Sequence, residues 1–288
     1  MLTLAAREGT AFFLFLFIQV RSLVQPALPS VERFQKSTCL STNMLLLGNA
    51  RLQGFVHLSR GAALTFQKRS GVQTRMVSLS ADLEEHSSFV ERVKAMTGDP
   101  LEKDGGRIVV FRGSPTARLM MIGEAPGAEE DEIGLPFVGR SGRLLDDILR
   151  AVGVDVEKDI YVTNIVRRRP PENRTPTVEE LDFYLPTLLE EIRLVDPAVI
   201  VTLGASSTKT LLPYETRGIT KTRGRWVPAE KLAETHGGLL AGRLVMPWFH
   251  PSYLLRNAGD KSRQEGGVRW LTREDLREVK RALQALGP

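Results

Sequence analysis

Residues 118–139, RLMMIGEAPGAEEDEIGLPFVG, join an apolar run to a loop broken by Gly123, Pro126, Gly127 and Gly134. A short run without polar alternation is the pattern of a parallel strand covered on both faces. The pattern recurs in IYVTNIV (160–166), AVIVTLG (198–204) and RLVMPWF (243–249). Between and after these lie helical patterns: RLLDDILRAVG (143–153), VEELDFYLPTLLEEIRLV (178–195), SSTKTLL (206–212) and LTREDLREVKRALQAL (271–286). FVERVKAM (89–96) reads as a short helix ahead of them. Strands alternating with helices predict an α/β domain with three α/β/α layers around a central, mostly parallel four-stranded sheet. Ligands of such sheets gather at the carboxyl ends of the strands. Gly123 and Glu124, Asn164, Gly204 and His250 fall there.

The loop of the opening stretch carries Glu124, Glu129, Glu130, Asp131 and Glu132 and no Lys. A phosphate-holding loop offers backbone N–H groups and usually a Lys, so this is not one. Adjacent carboxylates are expected to raise one another's pKa. The chain is basic overall, +5 with a pI near 9.5. That excess is confined to residues 1–80, which hold nine Lys/Arg and two Asp/Glu, leaving 30 basic and 32 acidic residues for 81–288. The basic pI therefore says little about what the domain binds. Cys39 is the one cysteine, which excludes disulfides within the chain and argues against a thiolate metal centre.

AFFLFLFIQV (11–20) follows Arg7 and is shorter than the roughly 20 residues that a membrane-spanning helix needs. It suits a signal-peptide core, and residues 21–80, rich in Ser, Thr, Arg, Leu and Ala, have transit-peptide composition. The reading is a leader over 1–85, signal-like at 7–20 and transit-like at 21–80, ahead of a domain over 86–288. Such a bipartite leader resembles those of plastid proteins in algae with secondary plastids, with a mitochondrial presequence as runner-up. A disordered extension or a later start at Met76 is the alternative.

The segments GEAPGAEEDEIGLPFVGRSGRLLD, YVTNIVRRRPPENRTPTVEE, IVTLGASSTKTLL and HPSYLLRN, in this order, resemble the uracil-DNA glycosylases of family 4 over about residues 90–288. The resemblance implies a glycosylase that flips uracil out of DNA and hydrolyses its N-glycosidic bond, with uracil-containing DNA as partner, as a monomer without stable membrane association. A non-catalytic nucleic-acid-binding module is the alternative.

Cleavage of that bond places positive charge on the sugar and negative charge on the leaving base, which calls for opposite partners. Glu124 can stabilise the sugar cation and hold a water. His250 can donate an N–H to uracil O2, against the alternative of a hydrogen-bonded core histidine. Asn164 can accept from N3–H and donate to O4, against that of a strand-capping Asn. By the resemblance, Ala125, Gly127 and Glu130 line the pocket, and Phe137 stacks on the base or is simply a core aromatic. Asp131 is expected to brace the loop, and Glu129 and Glu132 to be solvated. Ser252, Leu254, Leu255 and Arg256 suit a wedge with a phosphate contact. The competing reading is a helix start capped by Ser252 with both leucines in the core. Arg167 and Arg168 form a basic run with Arg169 that would grip DNA phosphates, or else a solvated loop.

One departure is plain. Family 4 members typically carry a four-iron, four-sulfur cluster on four cysteines, the first two in C-x-x-C-P-L. Aligning MTGDPL with that sequence puts Met96 and Asp99 at the first two positions, and the other two fall at Arg168 and Tyr184. Arg, Tyr and Met cannot replace thiolates in such a cluster, so no cofactor is expected and ordinary packing should fill the site.

Overall fold

The computed structural model describes residues 71–287, with side chains from Ala81 on except at Asp260, and a separate hairpin of β1 (Gly54–His57) and β2 (Thr65–Lys68). The rest of the leader reading lies outside the described residues. The chain divides into two units, Met1–Val77 and Ser78–Pro288. In the first, β1 and β2 pair antiparallel. The helix at the start of the domain, α1, spans Gly71–Lys94 and is much longer than the short helix expected from FVERVKAM.

The second unit is built on strands β3 (Phe111–Gly113), β4 (Leu119–Gly123), β5 (Ile160–Asn164), β6 (Val199–Leu203) and β7 (Leu244–Trp248), in the spatial order β3-β5-β4-β6-β7. The four expected strands are parallel neighbours. The sheet has five strands, not four: β3 pairs antiparallel with the β5 edge. Its sequence, FRG, is three residues long and half-buried, so neither an apolar run nor an alternation announces it.

Every residue of β4, β5 and β6 is buried. Alternate side chains feed two separate cores, as the two-residue period of a strand requires. Leu119, Met121, Val162, Val201 and Trp248 pack on one face with α3 (Arg140–Arg150) and α9 (Val268–Ala285). Met120, Ile122, Tyr161, Ile200 and Val245 pack on the other with α4 (Val178–Val195). These are the three layers, and the chain also forms the short helices α2 (Ala128–Ile133), α5 (Ala205–Leu211), α6 (Ile219–Thr222) and α7 (Ala229–Glu234). Pro247 is tolerated in β7 because that strand is an edge.

Local signals set the helix ends. The Thr177 hydroxyl accepts from Glu180 N at 3.2 Å while the Glu180 carboxylate accepts from Thr177 N at 2.8 Å, a reciprocal cap that starts α4. Gly142 in α3 is required by close approach, since a Cβ there would lie 1.8 Å from the Phe137 carbonyl oxygen.

Arg167 belongs to this core rather than to a DNA-facing loop. It is fully buried, donates to Glu191, to the Thr163 hydroxyl and to the Val110 carbonyl, and cannot reach a phosphate. The same Glu191 accepts from Tyr161, whose hydroxyl also meets His86 of α1. Arg167→Ala leaves Glu191 as an uncompensated buried charge. A loss of about 3–5 kcal/mol is expected in denaturant unfolding, with no change in the salt slope of DNA binding. A reduced slope at full stability would restore the DNA-contact reading.

Candidate active site

The carboxyl ends of β4, β5, β6 and β7 open into one cleft of about 1090 Å³, and Glu124, Asn164, Phe137, Gly204 and His250 all line it. The chain leaves β4 toward β5 on one side and reaches β6 on the other, so the cleft sits where strand order reverses. Register does part of the assembly: Gly123 and Asn164 are directly paired at the ends of β4 and β5. A Cβ on Gly123 would lie 2.3 Å from Asn164 Oδ1 and 2.5 Å from Phe137 Cζ, so only glycine lets the amide and the ring close over the strand end.

Asn164 is buried, and its Oδ1 has no hydrogen-bond partner within the protein. An unpaired buried carbonyl costs about 1–3 kcal/mol and is kept where something else completes it. Phe137 is buried at a left-handed φ of 55°, with its ring centroid 6.0 Å from that of His250. A non-glycine residue held in that region is a strained position of the kind that clusters at functional sites.

His250 caps α8 (Pro251–Arg256). The Ser252 hydroxyl meets Nδ1 at 2.7 Å in a contact that suits either tautomer, but Ser252 N also approaches it at 3.1 Å and a backbone N–H can only donate, which assigns Nδ1 as the acceptor. The proton of the neutral ring is therefore on Nε2. Burial, aided by the charge of Arg256, pushes the imidazole down to about 4. Near neutral pH the ring is an uncharged N–H donor. Gly204 packs against it: a Cβ at Gly204 would lie 3.0 Å from the His250 Cβ.

The Glu124 carboxyl is raised above the usual range by burial, and a hydrogen bond to Ser206 partly offsets the rise. Its acidic neighbours take different parts, and Glu129 departs from the expectation. Glu129 pairs with Arg143 at 2.7 Å, which holds it below its ordinary value, rather than being merely solvated. Glu130 lines the cleft, yet its carboxylate accepts from Gly127 N at 3.2 Å and Gly139 N at 2.8 Å and clamps the loop shut. Asp131 braces the loop as expected, accepting from Arg107 N at 2.6 Å. Glu132 is exposed. Ala125 and Gly127 line the cleft wall.

The segment after His250 is a helix, not a loop. Leu254 is buried in the core and cannot be a wedge, whereas Leu255 is half-buried and Arg256 is exposed at the cleft edge. The cap is His250 itself, two residues before the expected Ser252. Arg168 likewise turns to the protein rather than to a phosphate: its Nε donates to Asp99 at 2.7 Å and its Nη1 to the Gly106 carbonyl at 2.6 Å. Ser206, Arg140 and Lys209 also line the cleft, and residue type alone does not single them out. Ser206 directly follows the Gly204-Ala205 step at the end of β6, so the strand-end rule could have flagged it. Arg140 and Lys209 are exposed and had no signal beyond their charge.

Among the described residues no group of three or more His, Cys, Asp or Glu could hold a metal ion, and no helix is long and apolar enough to cross a membrane.

The family model of the uracil DNA glycosylase superfamily matches residues 110–272. A type-4 uracil-DNA glycosylase of Thermotoga maritima is 40% identical over 197 residues, 68% of this chain and 94% of the relative. One from Pyrobaculum aerophilum is 37% identical, covering 58% of this chain and 82% of the relative, and one from Sulfurisphaera tokodaii is 34% identical, covering 58% and 71%. With a family match over more than half of its length and a relative matched almost end to end, the chain belongs to the uracil DNA glycosylase superfamily.

Proposed function

We propose that this chain hydrolyses the N-glycosidic bond of deoxyuridine in DNA and so begins base excision repair. The carrying observation is the buried Asn164 Oδ1 that lacks a protein partner beside Phe137 in the cleft. Uracil N3–H completes that acceptor, and the amide N–H₂ donates to O4. Cytosine presents the reverse pattern and leaves both groups unpaired. Phe137 stacks on the extruded base. His250 Nε2–H stabilises the negative charge that develops at O2, and Glu124 faces the sugar and holds the attacking water. Arg140, Lys209 and Arg256 supply phosphate contacts, and Leu255 is the remaining wedge candidate.

The residues at the four cluster positions, Met96, Asp99, Arg168 and Tyr184, do not fit an iron–sulfur cluster, and no step here passes through one. The protein acts as a monomer, and residues 1–80 direct it to an organelle, a plastid before a mitochondrion. Their basic, acid-poor composition supports this, and a native N-terminus found intact at Met1 by mass spectrometry would sink it.

The test is release of uracil from a fluorescent oligonucleotide, read as alkali-labile strand breaks. After incubation with full-length protein, alkali should break the uracil-containing strand and spare the same strand with cytosine. Binding without cleavage would overturn the assignment.

A further inference from the structure

Asp99 is a buried carboxylate remote from the proposed chemistry, yet three segments converge on it. It accepts from the Tyr184 hydroxyl at 2.6 Å, from Arg168 Nε at 2.7 Å and from Leu101 N at 3.1 Å. The Asp99 side chain is entirely out of solvent and that of Arg168 nearly so. Burial and the neighbouring Asp99 push the Tyr184 hydroxyl far up, so it stays a donor. Charge-assisted bonds of this kind are about twice as strong as neutral ones. Met96 packs against the same core as Tyr184. The four positions aligned with cluster thiolates are thus filled by an Asp99 that accepts from both Arg168 and Tyr184, and by a Met96 that packs.

Arg168 lies in the connection 165–177 from β5 to α4, and Pro170, Asn173, Arg174, Thr175 and Pro176 farther along it form one wall of the cleft. Within it, Glu172 and Asn173 both adopt a left-handed φ of 56°, an unfavourable backbone that persists only where its ends are held. The far end is pinned by Arg174 on Glu180 at 2.6 Å and by the Thr177 cap. The near end is pinned by Arg168 on Asp99.

We propose that Asp99, Arg168 and Tyr184 are positioning residues that form a metal-free staple and hold the 168–177 wall in the shape that DNA requires. The kinetic consequence rests on the glycosylase reading, but the structural one does not. The test uses the full chain carrying Asp99→Asn or Tyr184→Phe, the latter keeping its ring in the core should the former fail to fold. Amide hydrogen exchange in 169–177 should quicken about ten- to a hundredfold, the worth of one hydrogen bond to a charged group, while β4 and β6 stay protected. KM for uracil-containing DNA should rise by a similar factor, with kcat changed less than about twofold. The wild-type protein should carry no stoichiometric iron.

A lowered melting temperature with unchanged loop exchange and KM would overturn the proposal, as would stoichiometric iron with the brown absorbance of a cluster. If the wild type releases no uracil, the glycosylase reading fails and exchange alone decides: quickening confined to the loop upholds the staple, and an unchanged loop overturns it.

Discussion

His250→Ala should slow uracil release by about 10²- to 10³-fold in kcat, the usual loss when one donor to a developing anion is removed. The size follows from the state of the ring. Ser252 N occupies Nδ1, the remaining proton is on Nε2, and burial holds the imidazole at about 4. In the proposed role a neutral donor to O2 gains strength as charge flows onto the base, and it needs no proton transfer. Two measurements check this. Single-turnover kcat of the variant must fall, with KM changed little. The wild-type profile must also show no histidine limb near 6.5, because a group that titrates near 4 is already neutral there. A limb that vanishes in the alanine variant would mean that a protonated imidazole does the work.

Glu124→Gln should cost about 10²- to 10⁴-fold, the range for a positioned acid–base group. In the proposed role the ionised carboxylate is the working form, and burial raises its pKa. Activity is therefore full above that raised value and is lost as pH falls through it, at a higher pH than for an ordinary glutamate. Removing the Ser206 hydrogen bond takes away the partial offset. Ser206→Ala should then move the acid limb further up while leaving the plateau rate nearly intact. The glutamine variant should have no such limb. A limb that persists in it would assign the titration to another group.

Much of this is legible in the sequence. Four buried strands announce themselves as apolar runs, and a site at their carboxyl ends follows from the architecture alone. The errors have a common cause. For Arg167, Arg168, Leu254 and Glu129 the sequence offers only a residue type in a loop, and type does not say what a side chain finds across the fold. Arg167 finds Glu191, 24 residues on, and Arg168 finds Asp99, 69 residues back. Neither pairing leaves a local pattern. β3 escapes because three residues on an edge carry no periodicity. The carboxylate cluster misleads in the opposite way, since its members look equivalent in sequence. Structure separates them into a half-buried Glu124, a clamp at Glu130, a brace at Asp131 and an ion pair at Glu129.

The uncharged state of His250 has an effect on how the protein responds to ionic strength. A half-buried dipole works at contact distance, where screening counts for little, whereas Arg140, Lys209 and Arg256 are exposed along the cleft. Salt therefore acts on the two stages of turnover separately. Raising it from about 50 to 200 mM should weaken capture of DNA steeply as condensed counterions compete for the strand, and should leave the rate of bond cleavage in the captured complex almost flat.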